Sequence, residues 1–119
     1  MKQLAKREEQ IMHIIWELKT AFIRDVIKVF PEPKPHYNTI ATIIKIVEKK
    51  GYLTSNKVGN THMYKPVISL EEYRDRHLLD VKKNYFGNSF PRMLAHFAKD
   101  EKLSNDEVEE LMKIIKSKK

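Results

Sequence analysis

The sequence contains no cysteine and only three glycines among its 119 residues. Without cysteine, a protein has no disulfide, no thiolate ligand for a metal and no cysteine nucleophile. The glycines, Gly51, Gly59 and Gly87, stand far apart, which excludes a glycine-rich loop that cradles phosphates. No stretch approaches the roughly 18 consecutive apolar residues of a membrane span, and the charged N-terminus has no signal-peptide core. We therefore expect a soluble, cytoplasmic protein without direct membrane insertion.

Residues that carry catalysis are equally scarce. The five histidines lie singly along the chain, and no serine stands in a nucleophile-elbow context. Glu9 and His13 lie four residues apart on a predicted helix, but no third ligand follows at a spacing that suits a metal. The sequence therefore predicts no enzyme, no metal site and no cofactor.

The net charge of +7 is distributed unevenly. Residues 1–68 contain 12 Lys and Arg against 6 Asp and Glu, whereas residues 69–119 contain 11 against 10. A basic excess confined to one half of a chain is typical of a domain that faces a polyanion.

Residues 36–50 predict a helix with two contrasting faces. The apolar face carries Ile40, Ile43, Ile44 and Val47 at i, i+3, i+4 and i+7, the spacing of a helix packed on a core. The opposite face carries Asn38, Ala41, Thr42, Lys45 and Lys49, with no carboxylate. Amides and hydroxyls meet base edges in the major groove, and lysines neutralise phosphates. Two interpretations stay open, a helix that reads double-stranded DNA and a solvated helix that lacks acids by chance.

The flanking segments favour the first interpretation. Helices are predicted over residues 5–18, with Trp16 and Leu18 in the core, and over residues 22–30, where three prolines follow. After Gly51, residues 52–57 and 61–65 read as two strands of a hairpin. Three helices and a hairpin are the order of a winged helix-turn-helix, in which the third helix enters the major groove and the hairpin follows the phosphates. The residues predicted at or near the wing tip are Lys57, Asn60 and His62.

Residues 69–119 predict three short amphipathic helices, two of which begin with capping boxes at Ser69 and Ser104. About 50 residues in three short helices bury little surface alone. We expect a two-fold dimer that buries their apolar faces; a monomeric helical hairpin packed on the first domain is the alternative. The residues predicted at the dimer interface are Leu78, Val81, Phe90, Met93, Leu94, Phe97, Val108, Leu111, Met112 and Ile115. The fold class is therefore mainly α with a small β-hairpin, with a winged-helix domain at residues 1–68 and a helical dimerisation domain at residues 69–119.

Four segments resemble the penicillinase repressors, the BlaI/MecI family. Residues 8–16 (EEQIMHIIW) resemble the first-helix signature of that family, and residues 38–43 (NTIATI) resemble the core of its recognition helix. Residues 49–53 (KKGYL) match its exit into the wing, and residues 97–104 (FAKDEKLS) resemble its C-terminal segment. The resemblance spans nearly the whole chain.

This resemblance implies a homodimeric winged-helix repressor of antibiotic-resistance genes that binds an inverted repeat of TACA and TGTA half-sites. Carried over by position, the residues that face the groove are Asn38, Thr39, Ala41, Thr42 and Lys45, with Lys57 and Asn60 near phosphates. Repression in the family is relieved by cleavage in the dimerisation domain, which depends on a membrane-bound metalloprotease. The cut usually falls at an Asn-Phe bond, which aligns here with His96-Phe97, so the sequence departs from the family at His96. Ala5 also replaces the usual capping Thr or Ser, and the copper-responsive branch is excluded because it uses cysteines.

Two other functions remain to be weighed against the repressor. A winged helix can also serve as a protein–protein interaction module without sequence-specific DNA binding, since fold alone does not settle function. Double-stranded RNA fits less well, because its deep, narrow groove resists the entry of a helix.

Overall fold

A computed structural model of the chain describes residues 2–99 and 104–117, including the side chains as far as residue 113. The described part divides into two compact units, Met1–Tyr73 and Arg74–Lys119. The elements in chain order are α1 (Lys6–Leu18), α2 (Ile23–Val29), α3 (Tyr37–Lys49), β1 (Leu53–Val58), β2 (Thr61–Pro66), α4 (Leu70–Tyr85), α5 (Phe90–Lys99) and α6 (Asn105–Ser117). The predicted fold class, mainly α with a small β-hairpin, is confirmed.

The first unit has a continuous hydrophobic core beneath α1, α2, α3 and the hairpin. Each helix contributes the residues that its apolar stripe predicts, since only one side of each helix is apolar. Ile11, Ile15, Ile44 and Val47 are completely buried, and a fully buried side chain of this kind stabilises a fold by about 1.5–3 kcal/mol. Trp16 packs against this core as predicted.

The predicted position of Leu18 in the core is wrong. Leu18 is the last residue of α1 and is 38% exposed, because the chain turns away from the core at Lys19. Met12, one turn earlier than Trp16, is fully buried instead. Periodicity locates the apolar side of a helix better than it locates the end of the buried part.

The hairpin is antiparallel, with Leu53 opposite Pro66 at its base and Val58 opposite Thr61 at its tip. Gly59 begins the two-residue turn with φ +62°, a conformation that glycine adopts without steric cost and that a type II′ turn requires at this position. At the base, Ala21 and Tyr64 exchange two backbone hydrogen bonds of 2.9 and 2.8 Å. This bridge attaches the connection between α1 and α2 to the hairpin.

The first turn of α4 belongs to the first unit, since the boundary between the units follows Tyr73. The Trp16 indole N–H donates a hydrogen bond of 2.9 Å to the carbonyl of Ile68, and the Tyr73 hydroxyl donates to the carboxylate of Glu9. The rings of Trp16 and Tyr73 are in contact, with centroids 5.2 Å apart. Burial raises the pKa of the Tyr73 phenol, and the nearby Glu9 carboxylate raises it further.

The second unit consists of the remainder of α4 together with α5 and α6. Serine side chains cap these helices as the sequence predicts: Ser69 accepts from the Glu72 amide, and Ser104 and Glu107 exchange two bonds of 3.1 Å. Among the described residues of this unit only Met93 is buried. Helix α4 contains no buried residue at all, although it has an apolar stripe.

Candidate nucleic-acid interface

Helix α3 presents an exposed polar face beside its buried apolar face. Ile40, Ile44 and Val47 are buried, whereas Ile43 is half-buried. The exposed side chains include Asn38, Thr39, Thr42, Lys45 and Lys49. The structure thus brings the predicted base-reading residues of α3 to one surface, apart from Ala41.

Ala41 occupies the edge of this face and not its centre. Its side chain is half-buried and packs against the hydrophobic core. A methyl group at this edge leaves room beside it, so its contribution to an interface is the close approach that it permits. Larger residues there would change the distance at which α3 meets a partner.

The Thr42 side chain is already engaged within α3. Its hydroxyl donates a hydrogen bond of 2.9 Å to the carbonyl of Asn38, one turn earlier. The hydroxyl proton is therefore used, and the oxygen is left as an acceptor beside an exposed methyl group. In a major groove, such a group suits the amino groups of adenine and cytosine or the methyl group of thymine.

The N-terminus of α3 has free backbone donors. His36 occupies the N-cap position without a side-chain hydrogen bond, and the first turn contains no acidic residue. The first amide groups of a helix have no partner within the helix, and together with the helix dipole they favour a bound anion such as phosphate. This end of α3 therefore suits contact with a nucleic-acid backbone.

The only carboxylate of α3, Glu48, points away from the exposed polar face. It is half-buried and accepts a hydrogen bond of 2.6 Å from the Ser55 hydroxyl of β1. Burial raises the pKa of the Tyr64 phenol, and the charge of Glu48 contributes in the same direction. Glu48 thus joins α3 to the wing and leaves the exposed face without negative charge.

Two lysines of the first unit are bound to other groups of the protein. Lys50 forms an ion pair with Glu8 and donates to the carbonyl of Gln3 at 3.0 Å; its hydrogen bond holds the pKa of Glu8 below the usual value. Lys34 lies beyond the end of α2, and its ammonium donates to the carbonyls of Lys28 and Phe30 at 2.7 and 2.6 Å. These two lysines stabilise the fold.

Three lysines of α3 and the wing are exposed and available to a polyanion. Lys45 and Lys49 lie on α3, and Lys57 lies on β1. Across the part of the chain that the structure describes, these three ammonium groups form no hydrogen bond or ion pair with protein. Helix α3 and the wing therefore carry three positive charges that no side chain of the described residues neutralises.

The wing directs two basic side chains to the side on which α3 lies. Lys57 lies directly opposite His62 in the register of the hairpin. Because side chains alternate along a strand, Lys57 shares a face with Ser55, which contacts Glu48 of α3. Asn60 is exposed in the turn. These three residues lie at and near the wing tip, as the sequence predicts.

Two further exposed residues of α3 were not selected by the sequence analysis. Tyr37 is 46% exposed at the first helical position, and Ile46 is 42% exposed on the outer face. The signal for Ile46 was present in the sequence, since it falls outside the stripe formed by Ile40, Ile44 and Val47.

The predicted dimer residues are partly or largely accessible. Leu78, Phe90, Phe97 and Met112 are 39–47% exposed, and only Met93 is buried. The half-buried members are Val81, Leu94, Val108 and Leu111, whereas the side chain of Ile115 lies outside the described residues. His96 and Phe97, at the aligned cleavage bond, are both exposed within α5, and the His96 ring contacts those of Phe86 and Phe97.

No cluster of three or more His, Cys, Asp or Glu side chains that would hold a metal is found in residues 2–99 and 104–117. Over the same residues, no helix combines the length and the apolar character that crossing a bilayer requires.

Comparison with known proteins relates the chain to a group of repressors. The penicillinase repressor family model matches residues 4–117. The chain is 28% identical over 123 residues to a penicillinase repressor of Bacillus licheniformis, with 98% of this chain and 92% of that protein covered. It is 26% identical over 117 residues to the methicillin resistance regulatory protein MecI of Staphylococcus aureus (strain N315), with 98% and 95% covered.

A solved structure also supports the winged-helix fold. The solution structure of the DNA binding domain of the repressor BlaI matches with a TM-score of 0.52 and 29% identity, over 60% of this chain and 88% of that one. The predicted winged helix-turn-helix and the predicted resemblance to the BlaI/MecI family are both confirmed.

Proposed function

Because the chain belongs to the penicillinase repressor family, whose members are transcriptional repressors and not enzymes, we propose that it represses transcription as a homodimer on an inverted-repeat operator. Residues Asn38, Thr39 and Thr42 contact base edges, and Ala41 permits close approach. Lys45, Lys57 and Asn60 contact the phosphate backbone. The protein acts in the cytoplasm, where bacterial DNA is accessible, and uses no cofactor.

The observation that carries this proposal is the exposed face of α3. This face combines short polar side chains with lysines. The one carboxylate of α3, Glu48, is bound by Ser55 and lies off this face, and the N-terminus of α3 has no side-chain cap. Base contacts supply sequence discrimination, whereas phosphate contacts supply affinity and position. Both kinds of contact are available on the one surface formed by α3 and the wing.

Dimerisation accounts for the apolar residues of the second unit. A two-fold dimer buries the same patch on both protomers, and it links two DNA-binding units so that the second half-site binds as an intramolecular event. An operator that lacks one half-site then loses most of its affinity. Disruption of the dimer releases DNA without any change to a base contact, which is a physical route to induction.

Cleavage at His96-Phe97 is the proposed means of that disruption. Both residues are exposed, but the bond lies inside α5, three residues before its end at Lys99. The end of α5 therefore has to unwind before a protease can bind this bond as an extended segment. The proposed partner is a membrane-bound metalloprotease, and the regulated genes are those of β-lactam resistance.

Fluorescence anisotropy with labelled duplexes tests the proposal. An intact TACA/TGTA inverted repeat is compared with a duplex of the same composition in which one half-site is scrambled, each at two salt concentrations. We expect strong preference for the intact repeat and steep salt dependence. Equal, weak binding to both duplexes contradicts this operator, and no binding at low salt favours the protein-interaction module.

Two substitutions separate base reading from phosphate contact. Thr42→Ala should reduce the ratio of affinities for operator and scrambled DNA, because a base contact is lost. Lys57→Ala should weaken binding to both duplexes and reduce the slope of log K against log salt by about one. Lys34→Ala is the matched control, since the Lys34 ammonium binds carbonyls near the end of α2. A Thr42→Ala protein with equal losses on both duplexes removes Thr42 from base reading.

A further inference from the structure

Ile46 is the only large aliphatic side chain on the exposed face of α3 whose surroundings are polar. It lies one turn after Thr42 and two turns after Thr39, at i+4 and i+7, so the three side chains form one line along the helix. Its side chain is 42% exposed, whereas its neighbours in the core stripe, Ile44 and Val47, are completely buried. Lys45 and Lys49 are exposed close to it.

Ile46 contributes little to the packing of the first unit. The core cluster beneath α3 contains Ile40, Ile44 and Val47, and Ile46 is not part of it. An exposed apolar residue is ordinary on most protein surfaces. Ile46 differs in its location, because it continues the line of two residues proposed to contact bases.

We infer that Ile46 is a specificity-determining residue that packs against the C5 methyl group of a thymine in the operator half-site. This inference rests on the proposed function. Thymine is the only base that presents a methyl group in the major groove, and apolar side chains recognise it by contact. Ile46 has no polar atom on its side chain, so it prefers thymine and does not distinguish the other bases by hydrogen bonding.

The spacing on α3 indicates where this thymine lies. Ile46 follows Thr42 by four residues, which is about 6 Å along the helix axis. Base pairs along B-DNA are spaced by about 3.4 Å. The thymine contacted by Ile46 therefore lies at most about two base-pair steps from the base contacted by Thr42, with the full separation reached when α3 runs parallel to the DNA axis.

Replacement of single thymines by uracil tests the inference, because uracil differs from thymine only by the missing methyl group. The duplex is the one that the wild-type protein retains from a random pool, so the test does not depend on the operator sequence assumed above. Each thymine is replaced in turn, and affinity is measured for the wild-type protein and for Ile46→Ala. Val67→Ala is the control, since Val67 is 58% exposed and follows β2, outside α3.

We expect one position per half-site at which uracil weakens wild-type binding about fourfold, the value of one methyl group removed from water. Ile46→Ala should be insensitive to uracil at that position and should respond like wild type elsewhere, while Val67→Ala keeps the full wild-type pattern. The same uracil sensitivities in wild type and Ile46→Ala overturn the inference but leave the proposed function intact. A wild-type protein that retains no duplex from the pool overturns both.

Discussion

The two units of the chain have similar helical patterns and very different interiors. In the first unit, sixteen buried hydrophobic residues form one cluster under three helices and a hairpin. In the described part of the second unit, Met93 alone is buried, while Phe90, Phe97 and Met112 remain more than 40% exposed. The amphipathic pattern of a helix specifies which side avoids water, but it does not specify what covers that side.

The comparison indicates how stability is divided along the chain. The first unit contains the residues that cover its own apolar faces. The second unit leaves large apolar side chains accessible on α4, α5 and α6, and we propose that a second copy of the chain covers them. Stability of a unit of this kind depends on protein concentration.

The largest expected effect is the loss of stability when the hydrophobic core of the first unit is altered. Ile44→Ala should reduce the free energy of unfolding by about 2–5 kcal/mol, because it leaves a cavity at a site with no exposed surface. Urea denaturation measures this change. Ile46→Ala, two residues along the same helix, should change the free energy by less than about 0.5 kcal/mol. Equal losses for the two variants contradict the assignment of core and surface on α3.

A smaller effect is expected from the exposed apolar face of the second unit. Phe97→Asp should raise the dissociation constant of the dimer at least tenfold, or about 1.4 kcal/mol, because it places a charge in an apolar contact. Analytical ultracentrifugation measures that constant. Val67→Asp makes the same kind of change on an exposed residue of the first unit and should leave it unaltered. A wild-type protein that stays monomeric at high concentration contradicts the proposed dimer.

The smallest expected effect concerns the pH dependence of the first unit. Lys50 lowers the pKa of Glu8 below its ordinary value of 4.5, so in acid the unfolded chain binds a proton more readily than the folded one. The contribution of Glu8 is present above pH 4.5 and is lost as the pH falls through the lower folded pKa. Glu8→Gln should flatten the fall in stability with acid by less than about 1 kcal/mol.

Urea midpoints measured at several pH values between about pH 6 and about pH 3 compare the stability of Glu8→Gln with that of wild type. Glu17→Gln, an exposed residue of the same helix, is the matched control. If both substitutions flatten the profile equally, the ion pair with Lys50 is not its cause.

Much of the fold follows from the sequence because its signals are local. Gly59 and Asn60 predict the hairpin turn, and the prolines after Phe30 predict the end of α2, which the structure confirms. Contacts between distant segments were not predictable in the same way. The Ala21–Tyr64 bridge and the bond from Trp16 to Ile68 join residues 43 and 52 positions apart, and no local pattern encodes such a pairing.

The candidate interface shows the same division. Asn38, Thr42 and Lys45 were identified because an acid-free helical face is visible in the sequence. The roles of the other lysines depend on tertiary contacts, since Lys34 and Lys50 have partners that only the fold brings within reach. Ile46 was missed because it belongs neither to the apolar stripe nor to the polar and basic residues that defined the two faces of α3, and its exposure follows only from the fold.

Trp16 is the only tryptophan of the chain, and its indole N–H is bound to the carbonyl of Ile68, just before α4 begins. Its ring also contacts those of His13 and Tyr73. Intrinsic fluorescence excited at the indole absorption band therefore arises from a single place, the connection by which the winged helix leads into α4. A shift in that emission on addition of operator DNA reports a rearrangement of this connection without any introduced label.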